Sequence, residues 1–168
     1  LGDTVTDTFS YTITDTAGAT STAQVTMTIV GNNDAPVTVE DLASAQEDIT
    51  VTVTGNVLAN DTDVDQGTIL TVANAGVFAG SYGQLELSAD GGYSYALDNA
   101  SLAVQSLAAG QVVTETFAYL ATDGIDVTPS TLTVTITGAN DTPVVAVPLL
   151  NQFATETGTF TYQLPIDT

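Results

Sequence analysis

Val5-Thr6-Asp7-Thr8-Phe9-Ser10-Tyr11-Thr12-Ile13 puts Val5, Phe9, Tyr11 and Ile13 on one parity and Thr6, Thr8, Ser10 and Thr12 on the other. Successive side chains of an extended chain point to opposite faces, so this stretch reads as a strand with one face to pack and one for water. Val25, Met27 and Ile29 repeat the pattern beyond a turn signal at Gly18. Further runs follow at Val51 to Val53, Ile69 to Val72, Leu85 to Leu87, Tyr93 to Leu97, Phe117 to Ala121 and Leu132 to Ile136. Turn signals separate them at Gly55, Gly67, Asp90-Gly91-Gly92 and Asp123-Gly124. Thr supplies 31 of the 168 residues, which with Val, Ile, Tyr and Phe is the composition of half-buried strands. The expected fold is all-β. Asp98 to Leu107 lacks alternation and is expected to form a short helical turn over the core, with Asn99 as its N-cap.

The opening stretch returns. Val5-Thr6-Asp7-Thr8-Phe9-Ser10-Tyr11 reappears as Val113-Thr114-Glu115-Thr116-Phe117-Ala118-Tyr119, and Thr14-Asp15 as Thr122-Asp123, at an offset of 108. Asn33-Asp34-Ala35-Pro36-Val37 reappears as Asn140-Asp141-Thr142-Pro143-Val144 at an offset of 107, one residue having been deleted between. A period of about 100 residues is that of one immunoglobulin-sized β-sandwich, so the chain reads as tandem β-sandwich repeats. One complete unit is expected over 32–139, with 1–31 as the last strands of a preceding unit and 140–168 as the first strands of the next. The partial units are expected to be completed by adjacent sequence or by another copy.

Composition excludes more chemistry than any motif. Twenty carboxylates and no Lys, Arg or His give a formal charge of −20. Phosphate contacts, imidazole catalysis, Lys Schiff bases and His metal sites are ruled out, and with no Cys so are disulfides, zinc thiolates and iron–sulfur clusters. A hydrophobic content of 43% still supports a packed core rather than an acidic disordered tail. No apolar run is long enough for a membrane span, so neither nucleic acid nor membrane insertion is expected. Paired-carboxylate glycoside hydrolysis is the one enzyme class this composition admits with ease, and repeat units with acids clustered in loops offer it no cleft. The chain is expected not to be an enzyme.

What remains is hard oxygen ligands. Asp61-Thr62-Asp63-Val64-Asp65 places three carboxylates at alternate positions in a loop, where several oxygens can converge on one cation. It is not an EF-hand: the sixth position is Gln66, Gly67 comes one place late, and the twelfth position is Val72 where a bidentate Glu is needed. Clustered carboxylates repel, and with no cationic side chain to answer them they must be neutralised by a bound metal or screened by salt. Calcium, which accepts six to eight oxygens in flexible geometry, suits such a cluster better than magnesium. Asp90 reads as a hairpin-turn residue, and Tyr93, Tyr95, Phe117 and Tyr119 as core or face-packing aromatics.

In order along the chain stand Asn33-Asp34-Ala35-Pro36-Val37, Gln46-Glu47-Asp48, Asn56 to Asp65, Phe117 to Gly124 and Gly138-Ala139-Asn140-Asp141. This succession resembles the bacterial cadherin-like and VCBS repeat families of large extracellular adhesins of the RTX type. Gly83-Gln84-Leu85 with Ala89 to Tyr95 fits the VCBS pattern, and Asn151-Gln152 with Phe160-Thr161-Tyr162 is similar to the opening of a dystroglycan-type cadherin-like domain. The resemblance implies a secreted bacterial surface protein whose sandwiches hold calcium at their junctions. Carried over, one junction would use Asn33, Asp34, Asp61, Asp63, Asp65 and Asp123. The other would use Glu47, with Asp48 as its rival, Asn140 and Asp141, and Asp15 would serve a junction before these. The implied partners are adjacent repeats of the same chain or neighbouring copies. A calcium-dependent carbohydrate- or ligand-binding module, with surface glycans as partner, is the alternative; salt adaptation of an acidic surface is a third reading.

Overall fold

Phe117, Tyr119 and Ala121 are buried on one side of the strand Val112–Thr122, and Leu132, Val134 and Ile136 on the same side of its neighbour Val127–Thr137. The alternating threonines turn outward, as the period of two demands. These two strands anchor a computed structural model that describes residues 4–143. In chain order its elements are β1 (Thr4–Thr14), β2 (Thr20–Val30), β3 (Asp41–Gln46), β4 (Thr52–Asn56), β5 (Thr71–Val72), β6 (Gly76–Ala79), β7 (Gly83–Leu87), β8 (Gly92–Leu97), α1 (Leu102–Gln105), β9 (Val112–Thr122) and β10 (Val127–Thr137). The fold is all-β.

Residues from β3 onward form two four-stranded sheets, ordered β3-β10-β9-β5 and β4-β8-β7-β6, around one core. All pairings are antiparallel except β3 on β10. Tyr95 of one sheet meets Phe117 of the other with ring centroids 6.0 Å apart at 55°, a tilted contact that aromatic quadrupoles favour. Val104 and Leu107, in and just after α1, are buried in the same core, so the non-alternating segment plugs the sandwich. Its N-cap is Ser101, whose side chain accepts the Val104 N–H, and not Asn99. Asn99 instead exchanges hydrogen bonds with Asp48, at 2.9 Å to the Asp48 N–H and 2.7 Å to its carboxylate.

Two further expectations need correction. Gly55 marks no turn: it lies within β4 opposite Tyr93, and a Cβ there would meet the Tyr93 ring at 2.7 Å, so glycine makes room for the aromatic. The apolar face of the β1–β2 hairpin does not pack among the described residues; Val5, Phe9, Ile13, Met27 and Ile29 are exposed. The structure also locates the one-residue deletion of the repeat. The β1–β2 pairing leaves residues 15–19 in its turn, whereas the β9–β10 pairing leaves 123–126. The expected units at 140–168 lie, beyond residue 143, outside the described residues.

Candidate metal centre

The turn between β9 and β10 is built around Asp123. Its Oδ1 accepts the N–H groups of Ile125 and Asp126, both at 2.7 Å, while Gly124 takes the positive φ of 95° that the turn needs. Asp123 Oδ2 and Asp126 Oδ2 then face the same donor, the side-chain amide of Asn33, at 2.7 and 2.8 Å. That amide, followed by the two turn N–H groups, holds the Asp123 carboxyl below the usual carboxylate range. Asp126 is a member of this group that the sequence reading missed. Its signal was present: a second acid closing the turn that Asp123 opens.

From Asn33 the chain carries the group to the Asp61–Asp65 loop. The Asp34 N–H donates to Asp65 Oδ2 at 2.9 Å, and the Asp65 N–H to Asp63 Oδ1 at 2.8 Å. A bridge between Val37 and Thr62 holds the two segments together. Asp63 Oδ2 is buried and has no hydrogen-bond partner among the described residues. Buried polar atoms are nearly always satisfied, so this oxygen marks a place suited to a further electropositive group.

Asp61 behaves differently. It is 9% exposed, its Oδ1 accepts the Val39 N–H at 2.8 Å and its Oδ2 the Tyr119 hydroxyl at 3.1 Å. Tyr119 Oη also lies 2.9 Å from the Val57 carbonyl and 3.0 Å from Asp41 Oδ2. One hydroxyl proton thus faces three acceptors. Burial first, and then the Asp61 charge, push the Asp41 carboxyl up, against the lowering effect of the tyrosine. Burial and both acids likewise raise the Tyr119 hydroxyl. The alternate spacing of the three aspartates therefore combines two environments: Asp61 is engaged with a core hydroxyl, while Asp63 and Asp65 join Asn33 and Asp34.

Glu47, Asn140 and Asp141 stand at the opposite end of β9 and β10. Glu47 is fully buried; its N–H donates to the Thr137 carbonyl at 3.0 Å, its Oε1 accepts the Gln105 amide at 3.0 Å and its Oε2 the Ala139 N–H at 2.9 Å. Its neighbour Asp48, at a positive φ of 60°, turns to Asn99 instead. The two Asn-Asp pairs repeat one local geometry. The Asn33 amide donates to the Asp34 carbonyl at 3.2 Å and the Asn140 amide to the Asp141 carbonyl at 3.1 Å. With 11 residues in each of β9 and β10 at about 3.3 Å per residue, the two clusters are roughly 35 Å apart.

Among the described residues no three carboxylates stand close enough together to hold an ion as they are. The donor chemistry nonetheless fits calcium: carboxylate oxygens, the Asn33 amide, backbone carbonyls and the unsatisfied Asp63 Oδ2. An open depression of about 500 Å³ beside the loop is lined by Asn56, Leu58, Ala59, Asp61, Thr62, Asp63, Thr68, Leu70 and Asp90, with no aromatic ring among them. Comparison with known families decides what this sandwich is. The family model of the bacterial cadherin-like domain matches residues 33–138. The chain belongs to that family. No curated protein matches it. Domains of this family are structural and adhesive modules rather than enzymes, and in this cadherin-like unit the described residues form no helix long and apolar enough to cross a membrane.

Proposed function

We propose that the cadherin-like unit is a calcium-stiffened spacer in a tandem array on a bacterial surface adhesin. The observation that carries this reading is polarity. The chain enters the sandwich at Asn33-Asp34, beside Asp63, Asp65, Asp123 and Asp126, and leaves at Asn140-Asp141, beside Glu47, at the far end of the same two strands. Units joined in that way stack end to end, with an oxygen-rich cluster at each joint. Asn33, Asp34, Asp63, Asp65, Asp123 and Asp126 would hold calcium at one joint, with Asp61 bracing the loop from the core side. Glu47, Asn140 and Asp141 would serve the other. Bound calcium supplies the positive charge that this sequence does not.

At an extracellular-type affinity of about 10⁻⁴ to 10⁻³ M, 10 mM calcium stabilises each site by roughly 1.4 to 2.7 kcal/mol. For a domain of this size that raises the melting temperature by roughly 5 to 15 °C. Thermal melts and small-angle scattering in calcium, magnesium and chelator at constant ionic strength test the proposal. A melting rise and an extended, narrower shape in calcium alone support it, and identical melting and shape in all three refute it. Tyr95, Phe117 and Tyr119 are buried and Tyr93 is half-buried against the core, so these rings offer the glycan-binding alternative no stacking platform.

A further inference from the structure

The face of the β1–β2 hairpin that carries Val5, Phe9 and Met27 has a counterpart whose surroundings are known. Phe9 opposes Val25 as Phe117 opposes Leu132, Val5 opposes Ile29 as Val113 opposes Ile136, and Asp7 opposes Met27 as Glu115 opposes Val134. The register is one register used twice. Its outcome differs: Phe117 is 7% and Ile136 0% exposed, whereas Phe9 is 50% and Ile29 58% exposed. On β9–β10 this face is covered by the sheet β4-β8-β7-β6.

We propose that the apolar face of β1–β2 docks a four-stranded sheet of the same kind, belonging to a second cadherin-like unit that lies upstream in the same parent chain. Chain order supports the source. In the unit described, the covering strands β4, β6, β7 and β8 precede the hairpin they cover, and a tandem array repeats that order. Two polar residues specify the occupant's chemistry. Asp7 places a carboxylate in the middle of the apolar face. At the equivalent position the Glu115 carboxylate accepts the Tyr95 hydroxyl and the N–H groups of Ser81 and Tyr82, the latter two at 2.7 and 3.3 Å. The sheet that covers Asp7 therefore offers hydroxyl and turn N–H donors there. Tyr11 matches Tyr119, so the segment that follows the sheet's β4 counterpart brings acceptors to its hydroxyl, as Val57 and Asp61 do for Tyr119. A second copy of the hairpin brings only its Tyr11 hydroxyl to this face and none of the turn N–H groups that Ser81 and Tyr82 give Glu115, so it satisfies Asp7 less completely than a covering sheet does.

The inference rests on the tandem arrangement of the proposed spacer and not on its metal. Hydrogen exchange read by mass spectrometry compares the 168-residue chain with the parent chain extended upstream by about one repeat, roughly 100 residues, each in calcium and in chelator. An uncovered two-stranded hairpin is marginal, so peptides from residues 5–29 should exchange quickly in the shorter chain. In the longer one they should slow at least 100-fold, to the level of residues 113–136, and binding of an apolar dye should fall. Asp7→Ala should lower that protection in the extended chain and leave the shorter chain unchanged. Equal fast exchange of residues 5–29 in both chains overturns the proposal, as does protection in the shorter chain that grows with its concentration, which would make a second copy the occupant. Protection that persists in chelator, with no calcium response anywhere, removes the metal from the spacer reading and leaves this inference standing.

Discussion

Asp63→Asn separates a metal ligand from a turn brace, because only a ligand makes the effect of the substitution depend on calcium. The substitution keeps Oδ1, which accepts the Asp65 N–H at 2.8 Å. It replaces the unsatisfied Oδ2 by an amide donor, the same group that Asn33 sets between Asp123 and Asp126. A buried polar atom left unpaired costs about 1 to 3 kcal/mol. Asp63 is half-buried, so the lower end applies. In chelator the variant should be more stable than the parent by about 1 kcal/mol. In 10 mM calcium the parent gains roughly 1.4 to 2.7 kcal/mol, whereas a variant whose affinity has fallen 100-fold gains less than about 0.5 kcal/mol. The order of stability therefore inverts. Urea unfolding of both proteins in both buffers measures it, with Glu86→Gln, on the exposed side of β7, as a control that removes one charge without touching the cluster. A stability difference between Asp63→Asn and the parent that is the same with and without calcium would defeat the metal reading at this loop.

Other consequences follow from the polar contacts of the core. Tyr119→Phe strips the hydroxyl from the Val57 carbonyl and Asp61 and should cost about 2 kcal/mol in urea unfolding; in an Asp61→Asn background the cost should shrink, and full additivity would show that the pair does not interact. Gly80→Ala sets a Cβ about 2.6 Å from the Glu115 carboxyl carbon, so it should displace that side chain from Ser81 and Tyr82 and lower stability by about 1 to 3 kcal/mol; an unchanged unfolding midpoint would refute this. In chelator, carboxyl NMR titration should find Asp123 below and Asp41 above the ordinary 3.8. The signs differ: the contribution of Asp123 to stability is present above its unfolded pKa and fades as pH falls through the lowered folded one, while that of Asp41 is present below 3.8 and fades as pH rises through the raised folded one. Two unshifted titrations would contradict the contacts from which these shifts derive.

The strands that the sequence announced are those whose large apolar residues point inward, such as β8, β9 and β10. Hidden ones have a physical reason. In β3 the buried residues are Ala43 and Ala45, while Leu42 is 81% exposed, so hydrophobicity runs opposite to burial. In β6 Val77 is exposed and only Phe78 reaches the core. Ile69 anticipated a longer β5 and is 80% exposed, with only Thr71–Val72 paired. Asn33, Asp34, Asp63, Asp65 and Asp123 were readable as one group only through the resemblance to cadherin-like arrays, since neither spacing nor the internal repeat brings the Asn-Asp pair to that loop and turn. The inward place of Asp61 was not readable, since even spacing does not tell which aspartate a core tyrosine will reach.

A charge of −20 without a cationic side chain makes the pairing of each carboxylate the central question of this fold, and the answers form a pattern. Neutral donors stand where a cation would otherwise stand. The Asn33 amide lies between Asp123 and Asp126, the Gln105 amide on Glu47, the Asn99 amide on Asp48, the Tyr119 hydroxyl on Asp61, and the Tyr95 hydroxyl with two backbone N–H groups on Glu115. Such donors orient a carboxylate and stabilise its charge without cancelling it, so two acids held this way still repel each other. Among the described residues Asp63 Oδ2 is the one buried side-chain oxygen for which no donor is provided, and it lies in the loop that Asn33-Asp34 joins to the next pair of acids. A fold that supplies an amide to buried Glu47 and a hydroxyl to buried Asp61 had the means to supply one here. That it does not leaves Asp63 Oδ2 open to an external cation, as the proposed calcium joint requires.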